Sequence, residues 1–189
     1  MHTNNDKYYI DEVINGNTSV YKQLIEKHQL NVINIIFKIT QNNEDAEELA
    51  QDVFIKVFNL LKTFKADSKF STWLYRIAYN AAISHVRKKK IIQMPIQEEI
   101  LEIETAQEFF NDFEDINNLK HEFLPIALAK LTPKDQALIS MYYQQNLSTS
   151  EIAEITDETK SNVKIKLYRS RKQLFTYISN MIRPLQSVS

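Results

Sequence analysis

The chain has no cysteine, which removes disulfide scaffolds, thiolate nucleophiles and cysteine-based zinc sites; this suits a reducing compartment, and the cytoplasm is the expected location. Glycine is nearly as scarce. Gly16 is the single one in 189 residues, where average usage of about 7% would supply roughly a dozen. Phosphate-cradling loops and dinucleotide fingerprints need two or more glycines at fixed offsets, so nucleotide-dependent enzymes of those two classes are excluded. Turn-rich β-sandwiches and barrels also draw on glycine for positive-φ positions. Its near absence, beside long stretches of Lys, Glu, Gln, Leu and Ile, points to an all-α fold. Long hydrophobic runs are missing too: the longest, Phe123 to Ala129, is seven residues and contains Pro125, whereas a membrane span takes about 20. The polar start Met1-His2-Thr3-Asn4-Asn5-Asp6 does not read as a signal peptide, so a soluble protein with no direct membrane insertion is expected.

Net charge is only −1, but its distribution is uneven. Residues 1–61 carry −4, residues 62–90 carry +7, residues 91–158 carry −11 and residues 159–189 carry +7. Polyanions respond to local positive potential rather than to the sum, so two basic blocks keep nucleic acid open as a partner.

Helical periodicity is clearest from Glu44 to Phe64, where Ala46, Leu49, Ala50, Val53, Val57, Leu60, Leu61 and Phe64 recur at spacings of three and four. Asn42 precedes it as an N-cap. Val20 to Ile39 reads as its partner, Phe70 to Lys90 as a third helix, and Asp6 to Ile14 as a short leading one. From Met94 the chain turns acidic, with Glu98, Glu99, Glu102, Glu104, Glu108, Asp112, Glu114 and Asp115 before Lys120, and reads as a tether. Beyond it, Thr132-Pro133-Lys134-Asp135 is a strong helix start, and Ser148-Thr149-Ser150-Glu151 is a capping box. A short helix to about Ile155, the turn Thr156-Asp157-Glu158, and a long basic helix capped by Thr159 and reaching about Met181 make a helix-turn-helix.

In that last helix Val163, Leu167, Ser170, Leu174, Ile178 and Met181 form the inward stripe. Lys160, Lys164, Tyr168 and Arg171 lie on another face, flanked by Lys166 and Arg169, and no acid follows Glu158. Such a helix suits phosphates along a groove with base edges read near its N-terminus; alternatively its cations only complement the helix dipole. The other basic block interleaves aromatics with cations, a pattern suited to single-stranded nucleic acid. Trp73, Arg76, Asn80 and Arg87 share one side of a helix there, although Trp73 and the tyrosines also suit a core boundary. Glu44, Glu47, Glu48, Gln51, Asp52 and Asn59 line an outer face, which for most acidic faces means solvation. A di-metal site would need Glu-x-x-His pairs, and His28, His85 and His121 have no glutamate three residues before them. Neither a metal, a cofactor, a small-molecule substrate nor a catalytic set is expected.

Asp45-Ala46-Glu47-Glu48-Leu49-Ala50-Gln51-Asp52-Val53-Phe54, then Phe70-Ser71-Thr72-Trp73-Leu74-Tyr75-Arg76-Ile77-Ala78-Tyr79-Asn80 with Arg87-Lys88, then the helix-turn-helix from Leu131 to Arg171, resemble in order and spacing the extracytoplasmic-function group of bacterial RNA polymerase sigma factors. The resemblance covers nearly the whole chain. It implies a polymerase-docking and −10-reading domain over 1–93, an acidic linker over 94–121 and a −35-reading domain over 122–189. It places Glu48, Gln51 and Asp52 on the clamp helices of the largest subunit of core polymerase. Lys69, Trp73, Arg76, Asn80, Arg87 and Lys88 fall to the −10 element. Ser161, Asn162, Lys164, Ile165, Lys166, Tyr168, Arg169 and Arg171 fall to the −35 element. Ile165 stands where the family commonly has a small polar residue, and Ser161-Asn162 replaces the usual Gly-Thr, so a relative's promoter sequence does not transfer. The resemblance also implies an anti-sigma protein as partner. The alternatives are a helix-turn-helix regulator that binds duplex DNA without polymerase, and a helical adaptor whose basic faces hold acidic proteins.

Overall fold

The computed structural model describes residues 5–90 and 120–186, so the acidic tether lies outside the described residues except for its last two positions. The described residues form α1 (Asn5–Ile14), α2 (Tyr21–Thr40), α3 (Asn43–Leu60), α4 (Phe70–Lys90), α5 (Lys120–Ala129), α6 (Pro133–Tyr143), α7 (Thr149–Thr156) and α8 (Lys160–Gln186), with single 3-10 turns before α2 and after α3. No strand occurs among them, and the fold is all-α.

The helix starts follow the local chemistry read from the sequence. Asn42 Oδ1 accepts the Asp45 N–H at 3.0 Å, and Thr132 Oγ1 accepts that of Asp135 at 3.2 Å ahead of Pro133. Ser148 Oγ accepts the Glu151 N–H while Glu151 Oε2 accepts the Ser148 N–H at 2.8 Å, a complete capping box. Two ends differ from expectation. The periodicity to Phe64 overruns the α-helix, which tightens into a 3-10 turn at Leu61–Thr63, where the Thr63 hydroxyl caps the Leu60 carbonyl at 2.6 Å. At the other end α8 continues past Met181 to Gln186.

α2, α3 and α4 pack together around Leu24, Val32, Ile35, Ile36, Val57 and Leu74, each wholly withdrawn from water. Each such aliphatic side chain favours folding by about 1.5–3 kcal/mol. A second group of helices, α6 with α7 and α8, packs around Ile152, Ile155, Val163 and Leu167, and α5 lies on α8. The two groups are not separate bodies. α6 lies on α2 and α7 lies on α4, and the buried apolar side chains form one continuous core from Ile10 to Ile182. α6 is consequently covered all round, with every residue from Gln136 to Met141 buried.

The scarcity of glycine has a backbone counterpart. Left-handed φ values occur at Gln41, Ala66, Asn146 and Asp157, residues with a Cβ, while Gly16 alone takes φ +103°. Gln41 and Asp157 are the residues that end α2 and α7, and their N–H groups return to Phe37 O and Ala153 O.

Candidate functional site

Three faces gather the residues singled out above. On α3, Ala46, Ala50, Val53, Phe54 and Val57 turn inward, which leaves Glu48, Gln51 and Asp52 exposed on the far side. Beside them runs an open apolar groove of about 620 Å³ between α2 and α3, walled by Tyr21, Ile25, Ile33, Phe54, Ile55 and Phe58, with Glu47 and Gln51 on its rim. Ile55 is 62% and Phe58 39% exposed. Neither residue stands out in the sequence taken alone. Their signal was present: they follow Gln51 at the i+4 and i+7 positions of one helical face.

At its N-terminus α3 is tied to the end of α4 by Asp45, whose Oδ2 pairs with Lys89 Nζ and lies 3.2 Å from His85 Nε2. The Lys89 hydrogen bond is the chief reason that the Asp45 carboxyl lies below its ordinary range. One cation of the Arg87–Lys90 run is thus engaged within the domain, while Arg87 and Lys88 are exposed.

Along α4, Arg76 and Asn80 are exposed as well. Trp73 is half-buried, its ring 5.2 Å from that of Phe64 and 5.9 Å from that of Phe70, so it braces the start of α4. Deeper in the same helix, Tyr75 receives a hydrogen bond from Asn31 Nδ2 at 2.9 Å and lies within 3.4 Å of His28 Nδ1. His28 Nε2 in turn lies 3.2 Å from Asp6 Oδ2, and Lys27 Nζ reaches Asp6 Oδ1 at 2.6 Å. Burial alone would raise the Asp6 carboxyl; the hydrogen bonds from His28 and Lys27 outweigh it and hold the group below its ordinary value. This cluster fixes α1 to α2 and α4 and so sets the orientation of the α4 face.

The third face belongs to α8. Thr159 Oγ1 accepts the Asn162 N–H at 3.1 Å and starts the helix as read from the sequence. Val163, Leu167, Ser170, Leu174 and Ile178 are buried, while Ser161, Asn162, Lys164 and Ile165 are exposed together on its first turns. Other members of this set are held down. Lys166 Nζ pairs with Glu158 at 2.8 Å, so an acid ahead of the helix partly offsets a surface that no acid within the helix neutralises. Tyr168 is buried, Arg169 is half-buried, and Arg171 Nη1 donates to the Tyr143 hydroxyl at 3.2 Å. Among the described residues no group of three His, Asp or Glu side chains could hold a metal ion, and no helix is long and apolar enough to cross a membrane.

An exposed carboxylate face on one helix, a cationic and aromatic face on the next, and a capped helix-turn-helix place the chain in the class of all-α DNA-binding proteins. Residues 24–91 match the family described as sigma-70 region 2, and residues 127–174 match sigma-70, region 4. The chain is 33% identical over 156 residues to the RNA polymerase sigma factor YlaC of Bacillus subtilis, covering 81% of this chain and 88% of that one. It is 27% identical over 190 residues to the ECF RNA polymerase sigma-E factor of Haemophilus influenzae, with 95% of this chain and 96% of that protein covered. Its fold is shared by the sigma factor RpoE of Bartonella quintana, solved in complex with the anti-sigma factor NepR, at a TM-score of 0.61 and 22% identity over 84% of this chain and 96% of that one. The chain belongs to the extracytoplasmic-function group of the sigma-70 family of RNA polymerase sigma factors.

Proposed function

We propose that the three faces divide the work of promoter-directed initiation. α3 docks on the clamp helices of core polymerase through Glu48, Gln51 and Asp52, with Ile55 and Phe58 adding an apolar contact. α4 captures the non-template strand of the −10 element through Lys69, Arg76, Asn80, Arg87 and Lys88, with Trp73 at its edge. α8 enters the major groove of the −35 element with Ser161, Asn162, Lys164 and Ile165 leading, and Lys166, Tyr168, Arg169 and Arg171 behind them. Residues 1–93 and 122–189 act as the two recognition domains, and the acidic residues 94–121 join them along a path through polymerase. An anti-sigma protein is the regulatory partner, as NepR is for RpoE. The chain acts by binding, in the cytoplasm, with no chemistry of its own.

The observation that carries this reading is the α3 face: three adjacent polar or acidic side chains exposed beside two exposed apolar ones on a groove wall. A merely solvated face has no use for the apolar pair, whereas a docking face buries it. The test mixes the protein with sigma-free core polymerase and measures promoter-dependent transcripts, alongside a Glu48→Lys/Asp52→Lys variant. Transcripts from the wild type and their loss in a folded variant are expected. A wild-type protein that does not associate with core would overturn the reading.

A further inference from the structure

The first two turns of α8 carry one side chain that neither the core nor the charge of the helix accounts for. Val163 and Leu167 are buried in the core, and at about 100° per residue each lies roughly 200° around the helix from Ile165, so Ile165 faces away from both. It is 38% exposed and lies outside the apolar core. Its surroundings on α8 are polar. Ser161 and Asn162 precede it by about one turn, Lys164 adjoins it and Lys172 follows about two turns on, all of them exposed. Lys166, the next residue, is drawn to Glu158 at 2.8 Å. Phe175, the other large apolar residue exposed on α8, lies about 15 Å further along the axis. Ile165 is therefore a lone apolar group among a hydroxyl, an amide and ammonium groups, and forms no continuous apolar patch with its own helix for a protein partner to cover.

Single aliphatic side chains are ordinary on a surface that stays in water. In the reading above, however, this surface enters the major groove and loses its water there. Along that groove guanine offers acceptors, adenine an acceptor and an amino donor, cytosine an amino donor, and only thymine an apolar group, its C5-methyl. An aliphatic side chain laid over a donor or acceptor leaves it unpaired, which is costly; laid over a methyl group it removes apolar surface from water. The small polar residue common at this position in the family can bond more than one base edge, whereas isoleucine neither donates nor accepts. Its presentation is also fixed. Thr159 caps the turn through the Asn162 N–H at 3.1 Å, Val163 and Leu167 anchor the backbone on either side, and a β-branched side chain in a helix keeps nearly one χ1 rotamer. Little side-chain freedom is left to lose on contact.

Resting on the sigma-factor reading above, we propose that Ile165 makes this protein select a T·A pair in the −35 element, by packing on the thymine C5-methyl and by leaving the polar edges of other bases unpaired. The specificity at that pair comes from shape and desolvation, while the exposed amide and ammonium groups around it supply hydrogen bonds and phosphate contacts.

The test uses the full chain joined to sigma-free core polymerase and a pool of duplexes randomised over the promoter elements. The retained duplexes should share a T·A pair at one position of the −35 element. Deoxyuridine in place of that thymine removes the methyl and alters no hydrogen-bonding group, so wild-type affinity should fall by about three- to fivefold, the equivalent of one buried methyl. A C·G pair there should lower it by about fivefold or more. Ile165→Ser, a change nearly neutral in helix propensity, should bind the thymine and deoxyuridine duplexes alike, within about 1.5-fold, while Ile165→Val should keep the preference for thymine. Deoxyuridine at any other thymine of the element should affect wild type and Ile165→Ser equally. Wild-type protein indifferent to deoxyuridine at the shared pair, an equal loss in Ile165→Ser, or a retained pool without a shared T·A pair would overturn the proposal and leave the sigma-factor reading standing. Wild-type protein that does not join core but holds duplexes by itself would overturn that reading, and the same comparison on the chain alone would still decide the role of Ile165. Retention of no duplex in either state would overturn both.

Discussion

Replacing Ile55 by serine removes the most exposed apolar side chain from the proposed polymerase face without touching its charges. Ile55 is 62% exposed, and burying a whole aliphatic side chain is worth about 1.5–3 kcal/mol, so a partner that covers it gains about 1–2 kcal/mol. At 1.4 kcal/mol per decade, that is a loss of about 5- to 30-fold in Kd for core polymerase. Phe58, 39% exposed, contributes from about 60–100 Å² of a side chain that buries 150–250 Å², or about 1.5–2.5 kcal/mol, so Phe58→Ser should weaken docking by a comparable factor. The fold loses less, because only the covered two-fifths of Ile55 contributes to it: about 1 kcal/mol or below. Binding of labelled protein to core, titrated at low and high salt, separates the two components of the face. The serine variants should lose the same factor at both salts, whereas the deficit of Glu48→Lys/Asp52→Lys should shrink as salt screens the exposed charges. Folded Ile55→Ser and Phe58→Ser proteins that bind core within about twofold of wild type would refute a docking role for the groove.

Two further predictions concern the scaffold. Asp6 is held below its ordinary value of 3.8 in the folded chain, so it binds fewer protons there than in the unfolded chain, and its contribution is complete above that value and lost as pH falls through the folded pKa. Asp6→Asn should therefore melt below wild type at neutral pH, with the gap closing at pH values under about 3.8; a gap that persists at the acid end would contradict the Asp6–His28–Lys27 account. Gly16→Ala meets nothing within 4 Å of the added Cβ but places it at φ +103°, so its cost is backbone strain, about 1–2 kcal/mol, read as a fall of a few degrees in Tm; an unchanged Tm would show that the turn relaxes freely.

Most of the local structure was legible because it is written within a few residues. Asn42, Thr132, Ser148 and Thr159 each meet their own helix three residues on, and the spacing of Ala46, Ala50, Val53 and Val57 declares which side of α3 faces inward. The exposure of Glu48, Gln51 and Asp52 follows from that stripe by elimination. Where short-range rules stopped, they stopped for physical reasons. Hydrophobic spacing continues through Leu61 and Phe64 although the backbone leaves the α-helix, because burial depends on direction and not on hydrogen-bond register. Trp73 could be read as a stacking platform or as core boundary, and only its contacts with Phe64 and Phe70 place it at that boundary.

One glycine in 189 residues points to a helical chain that cradles no nucleotide in a glycine loop, and the helix caps and charge blocks mark where its helices start and where its cations gather. Those are properties of composition and of neighbours along the chain. That Lys69 faces Glu151, that α6 is covered on every side, and that Ile55 and Phe58 line a groove were decided by tertiary structure alone. Lys69 and Glu151 are far apart in sequence, and so are the two walls of the groove, so no periodicity within either segment could register the other. Their meeting depends on how α6 and α7 pack against α2 and α4.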